Sequence, residues 1–224
     1  MDSWVVPSIT GLWAAFLGTH MGLSSRRLRA GLVEKFGPRV FLAVYSLVAL
    51  ALFVPIAWIY AANKHAGAFL WYGSAIPWMR PIVYVGMTLA FTLMIGGNLD
   101  PSPASIVPGS GQIRGVLRIT RHPLFMGVAL FGLLHLCVAR VHGAELAFFG
   151  GLPIVALIGC WHQDQRKLAT DGEAFREFHR ATAFLPFARG GIRGLVDRPL
   201  ALALGVLATV LLRLFHPAIF GGAA

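Results

Sequence analysis

Residues 39–62 read RVFLAVYSLVALALFVPIAWIYAA. After Arg39 the stretch carries no charge. At about 1.5 Å rise per residue it is long enough to cross the roughly 30 Å hydrocarbon core of a bilayer. A surface helix of a soluble protein would show a polar face instead. This run is therefore a transmembrane helix, and it provides the ruler for the rest of the chain.

The same ruler marks runs at 4–23, 80–97, 123–140, 144–162 and 199–215. The expected fold is all-α, a polytopic membrane helix bundle of about six transmembrane helices forming one membrane domain over 1–224. Composition agrees, with 57% hydrophobic and only 12% charged residues among 224. A soluble domain carries about 25% charged residues, which it needs to cover a water-facing surface. No small-residue cleavage pattern follows the first run and Asp2 precedes it, so it reads as a retained helix.

The formal net charge of +10 suggests nucleic acid at first sight, but its distribution argues otherwise. Loop 24–39 holds Arg26, Arg27, Arg29, Lys35 and Arg39, and loop 98–122 holds Arg114, Arg118 and Arg121. Loop 163–198 holds Arg166, Lys167, Arg176, Arg180, Arg189, Arg193 and Arg198. These alternate loops contain 15 of the 19 Lys and Arg. That is the positive-inside pattern, which puts both termini on the non-cytoplasmic side, and an α-helical span with a retained first helix is expected in an inner membrane. The partners expected from it are membrane lipids with anionic headgroups, not nucleic acid.

The connections differ in character. Val141–Gly143 predicts a tight outer turn between antiparallel neighbours. Loop 99–112, rich in Pro, Ser and Gly, predicts an irregular inner connection. Segment 163–187 has helical periodicity, with Leu168, Phe175, Phe178 and Phe184 recurring among charges, and predicts an amphipathic inner-face helix. Cys137 and Cys160 fall near opposite ends of adjacent helices, about 20 Å apart in depth, beyond the reach of a disulfide.

Ionisable residues inside an apolar bundle are functional candidates. His20 shares a stripe with Ile9, Trp13 and Phe16, while Gly11, Gly18 and Gly22 line the opposite face as a close-packing surface. An imidazole beside aromatics suits a flat macrocycle; the alternative is a hydrogen bond across to a neighbouring helix. His135 lies on the stripe of Leu124, Val128, Phe131 and Ala139, and a buried imidazole needs a partner. His122 points about 140° away from it, which separates the two sites. The sequence Thr120-Arg121-His122-Pro123 places cationic groups at a helix start, suited to an anion. With His162-Gln163-Asp164-Gln165-Arg166-Lys167, Asn98 and Asp100 it forms an inner-face polar cluster. The remaining histidines, His65, His142, His179 and His216, read as solvated surface groups. No zinc-ligand spacing is present.

The stretch Gly115-Val-Leu-Arg-Ile-Thr-Arg-His-Pro-Leu-Phe-Met-Gly127, with Leu134-His135, resembles the NnrU family of membrane proteins, which includes a plant carotenoid isomerase. The likeness extends through Leu17–Arg29, Asp164–Phe187 and His216-Pro217 with Gly221. The resemblance implies haem b, with ligand positions on His20 and His135, and a cis–trans isomerase acting on a lipophilic substrate such as a polyene. It also implies an association with nitrogen-oxide and denitrification metabolism. A further histidine of the isomerase falls near Val155 here. The expected depths of His20 and His135 differ by about 10 Å, which makes His162 the alternative ligand partner for His20.

Arg121-His122-Pro123 with Asp164 and Phe175 also resembles membrane methyltransferases of the isoprenylcysteine carboxyl type. That likeness implies S-adenosylmethionine held by Arg121, His122 and Asp164, with Gln165 where a second acid is expected. A non-enzymatic accessory or transport role is the third reading, in which the histidines only stabilise helix packing.

Overall fold

The computed structural model describes residues 3–106 and 108–220. Asp2, Val107 and Gly221, which the sequence reading used, lie outside the described residues. The fold is an all-α bundle, as the apolar runs predict. The helices are α1 (Val5–Leu23), α2 (Arg26–Ala62), α3 (Met79–Leu99), α4 (Pro123–Val138), α5 (Gly143–Thr170), α6 (Gly172–Ala181), α7 (Gly194–Asp197) and α8 (Pro199–Phe220). By length and composition α2, α3, α5 and α8 can each cross a membrane. The remaining two predicted runs form α1, of 19 residues, and α4, of 16 residues.

The helices pack in two groups, α1 with α2 and α5, and α3 with α4 and α8. The α4–α5 contact joins them. One apolar core gathers Val5, Ile9, Trp13 and Ile56 with Ala66 and Ala144. A second gathers Leu93, Val116, Ile119, Met126 and Cys160. Large apolar side chains on the outside of α2 and α8, such as Leu47, Trp58, Leu207 and Leu214, remain exposed as a lipid-facing belt. The α1–α5 crossing is close because Gly151 has no side chain. A Cβ there would sit 2.2 Å from the Trp13 indole nitrogen.

Four expectations change. The basic segment 24–39 is not a loop, because α2 begins at Arg26. It is interrupted only at Gly37, whose φ of 79° lies in the left-handed region, before Pro38. The Val141–Gly143 stretch is no turn, since Val141 and His142 lie in a strand and Gly143 opens α5. Arg140–His142 (β2) pairs antiparallel with Phe69–Tyr72 (β1). The aromatic run Phe69-Leu-Trp-Tyr72 has strand propensity, and pairing satisfies the extended backbone between α4 and α5. The amphipathic segment is divided, since α5 continues to Thr170 and breaks at Gly172 (φ 73°) before α6. Lastly, Gly11, Gly18 and Gly22 have nothing within 4 Å of an added Cβ, so that face of α1 packs against no other element. Helices α2 and α5 pack on the Ile9–Trp13–Phe16 side instead.

Other expectations hold. Most of the described residues between Asp100 and Arg114 have no regular structure. Phe175 and Phe178 are buried with Ala104 against Ile113 and Leu168, so α6 packs through its apolar face on the end of the bundle where α5 finishes. Cys137 and Cys160 are both free, one exposed and one buried.

Candidate functional site

The inner end of α4 carries Arg121 and His122 immediately before Pro123. Both turn onto Asp164 of α5. Arg121 reaches Oδ2 through Nε and Nη2, each at 2.7 Å, and His122 Nε2 meets Oδ1 at 2.9 Å. The exposures are 8% for the Arg121 side chain and 2% for each of the other two. The anion predicted for this helix start is thus an internal carboxylate. The sequence-predicted members Arg121, His122 and Asp164 come together. Asn98 and Asp100 do not join them. Asn98 donates to the Met94 carbonyl at 2.8 Å, and Asp100 pairs with Arg114 at 2.7 Å.

The segment after α6 seals this cluster. Arg121 N–H donates to the Ala183 carbonyl at 2.8 Å, Thr120 Oγ1 to that of Phe184 at 2.6 Å, and Arg121 Nη1 to that of Thr182 at 3.1 Å. The Phe184 ring lies 5.3 Å from the Arg121 guanidinium and 5.5 Å from the His122 ring. His179, predicted as a surface residue, brings Nε2 to 3.7 Å from Asp164 Oδ2. Its pKa is lowered by burial and then by the Arg121 charge. Outside lies an open depression of about 610 Å³ lined in part by Arg121, His179, Arg180, Phe184 and Arg189.

A second constellation lies at the inner end of α1, α2 and α5. His20 Nδ1 contacts the Phe16 carbonyl one turn back, at 2.7 Å. That contact makes Nδ1 the donor and leaves Nε2 with a free lone pair. The ring stacks on Phe16 at 3.9 Å and meets the Tyr45 ring edge-on at 4.8 Å. So His20 bonds within its own helix rather than across to a neighbour. Ser24 connects it to α5, since its hydroxyl donates to the His20 carbonyl and lies 3.2 Å from His162 Nδ1. Arg166, one turn beyond His162, lies within Coulombic reach of Arg29 and Tyr45, and its Nε is buried with no hydrogen-bond partner among the described residues. Sequence reasoning placed Arg166 in the polar cluster but missed Tyr45 and Arg29 here. A phenol inside the apolar run of α2 was the only available signal.

His135 is separate. Its Nδ1 contacts the Phe131 carbonyl at 2.8 Å, and its ring stacks on Phe149 at 4.4 Å. Along α5, His135 is therefore level with Phe149. His20 is about one turn outward of the Ser24–His162 contact, level with residue 158. Nine residues of helix separate these levels, roughly 13 Å. The structure connects His20 to His162 only through Ser24 and does not bring His135 to either. Val155 packs among the apolar residues between α1 and α5.

Residues 9–224 match the family model described as NnrU protein. The chain belongs to the NnrU family. It is similar to the chloroplastic 15-cis-zeta-carotene isomerases of Zea mays and Arabidopsis thaliana. The first is 26% identical over 176 residues and the second 26% over 178, each covering 77% of this chain and 47% of the relative. The chain thus spans about half the length of these curated relatives. No solved structure matches it.

Proposed function

We propose that the protein is a membrane-embedded isomerase that acts on a cis double bond of a lipophilic polyene, using a b-type haem held at the inner end of α1, α2 and α5. The observation that carries this reading is the His20 ring, with Nδ1 fixed by the Phe16 carbonyl and Nε2 left free. A second hydrogen bond of this kind sets the tautomer and orientation of an iron-ligating imidazole. A b-type haem also carries two propionates, which call for cations at one edge. Arg166, with its unpartnered Nε, and neighbouring Arg29 fit that need. His162, linked to His20 through Ser24, is the second candidate ligand.

His20 and His135 do not fit as the axial pair of one haem, because their levels along α5 differ by roughly 13 Å. The reading therefore rests on His20 with His162. When bound, haem supplies a redox-variable iron. Phe16 stacked on the His20 ring and Tyr45 edge-on to it hold the imidazole in one orientation. The name of the matched relatives, 15-cis-zeta-carotene isomerase, supplies the substrate class. A methyltransferase reading needs Arg121, His122 and Asp164 open to S-adenosylmethionine, but these groups are buried and bonded to one another.

The test is pigment analysis by chromatography in cells that accumulate a 15-cis polyene and express this chain. The account expects loss of the 15-cis isomer with the native protein, and at least tenfold less conversion with His20→Ala at equal membrane abundance. If haem-loaded native protein leaves the isomer untouched, the isomerase assignment fails.

A further inference from the structure

At the opposite end of the bundle Glu145, in the first turn of α5, is buried to 1% exposure within a hydrocarbon-rich core. Its carboxylate accepts two backbone N–H groups at 2.9 Å, from His65 on Oε1 and His142 on Oε2. An ionised carboxylate has about four lone-pair sites, so two remain. The rings of the same two histidines occupy that space. His65 Nδ1 lies 3.3 Å from Oε1 and His142 Nδ1 lies 3.7 Å from Oε2, with ring centroids 5.2 Å apart. Among the described residues, these imidazoles are the only basic side chains within ion-pair distance of Glu145. Neither carries a permanent charge. A buried carboxylate without a lasting counter-charge is costly.

A helix cap alone does not require this arrangement. Glu145 and His142 do close a capping box at the start of α5, which accounts for one histidine. The other comes from the far side of a 77-residue gap and sits at φ 64°, a left-handed conformation uncommon for a side-chain-bearing residue. In that position both its N–H and its ring face one carboxylate.

We propose that His65, His142 and Glu145 form a binding site for a divalent transition-metal ion of the zinc type. One ligand atom from each of the three lies within 4.8 Å of the others. Tetrahedral bonds of roughly 2.0–2.1 Å place ligand atoms about 3.4 Å apart, so the His65–Glu145 separation already matches and the His142 ring closes by a small rotation. Two neutral imidazoles and one carboxylate carry a single negative charge, which a dication offsets while taking the imidazole lone pairs as ligands. Three protein ligands also leave a fourth position open. His65 is more than half exposed, so that position faces the aqueous side. The ion pins the α2–β1 connection to the β2–α5 junction beside the two short strands. None of these residues belongs to the haem reading, and the site stands or falls independently of it.

Isothermal titration of tag-free, chelator-treated protein in detergent with zinc tests the proposal. The expected result is about one equivalent bound per chain, with His65→Ala and His142→Ala each weakening binding by at least the roughly 10- to 100-fold known for loss of a supporting group. Zinc also shields His65 from diethyl pyrocarbonate in the native chain, a readout that needs no variant. Absence of stoichiometric binding, binding unchanged in both histidine variants, or no shielding of His65 overturns the assignment.

Discussion

Asp164 and His122 lie 42 positions apart in the chain, yet carboxylate and imidazole meet at 2.9 Å with each side chain only 2% exposed. Arg121 fills the other carboxylate oxygen, so three charged or chargeable groups compensate one another where α4 and α5 cross. The geometry joins the two helix groups at their inner ends and holds the 182–187 segment down through Arg121. The same pairing keeps the cluster from serving as an open cofactor site.

Removing the carboxylate therefore acts on stability. Asp164→Asn leaves Arg121 buried without its counter-charge, a change that costs about 3–5 kcal/mol in comparable buried pairs. Thermal unfolding in detergent should show a large fall in midpoint. Exposed Glu173→Gln, which loses contacts to Arg176 and Arg180, should shift it little. Equal midpoints for Asp164→Asn and native protein would remove the cluster's structural role.

His179 should titrate below the 6.5 of a free imidazole, because burial and then the Arg121 charge disfavour its protonated form. The folded value is depressed, so the unfolded chain takes up its proton first as pH falls. This group thus subtracts stability as pH drops below 6.5 and has no effect well above it. Nuclear magnetic resonance of the ring protons checks the midpoint. In His179→Gln the stability loss on acidification should be shallower.

Glycine substitutions separate packed from open faces of α1 and α5. Gly18→Ala and Gly22→Ala meet nothing within 4 Å and should leave stability within about 0.5 kcal/mol or raise it slightly. Gly151→Val drives a side chain into the Trp13 indole and should cost about 1–3 kcal/mol. Chemical denaturation midpoints decide between this pattern and its reverse, which would mean that the glycine stripe of α1 is the packed face.

Much of the fold was legible because a bilayer imposes one strong rule, long uncharged runs with satisfied backbone, and 39–62 obeys it plainly. The parts that were hidden are set by tertiary partners. Nothing in Phe69–Tyr72 alone identifies β2 as its partner, and the stripe rule cannot tell which face of α1 meets α5. At the site, Arg121, His122 and Asp164 stood out as charges among apolar residues. Their mutual pairing did not, since sequence spacing says nothing about which helices cross. His65, His142 and His179 read as surface groups because loop histidines carry no periodic signal, and only the folded chain brings them to Glu145 and Asp164.

The proposed isomerase chemistry requires a haem held at His20. The direct measurement is the dithionite-reduced minus oxidised visible spectrum of tag-free protein purified from haem-replete cells. The expected result is a Soret band with sharp α and β bands, retained in His135→Ala and lost in His20→Ala. A colourless native protein with no haem on pyridine extraction, or a spectrum unchanged by His20→Ala, would contradict it.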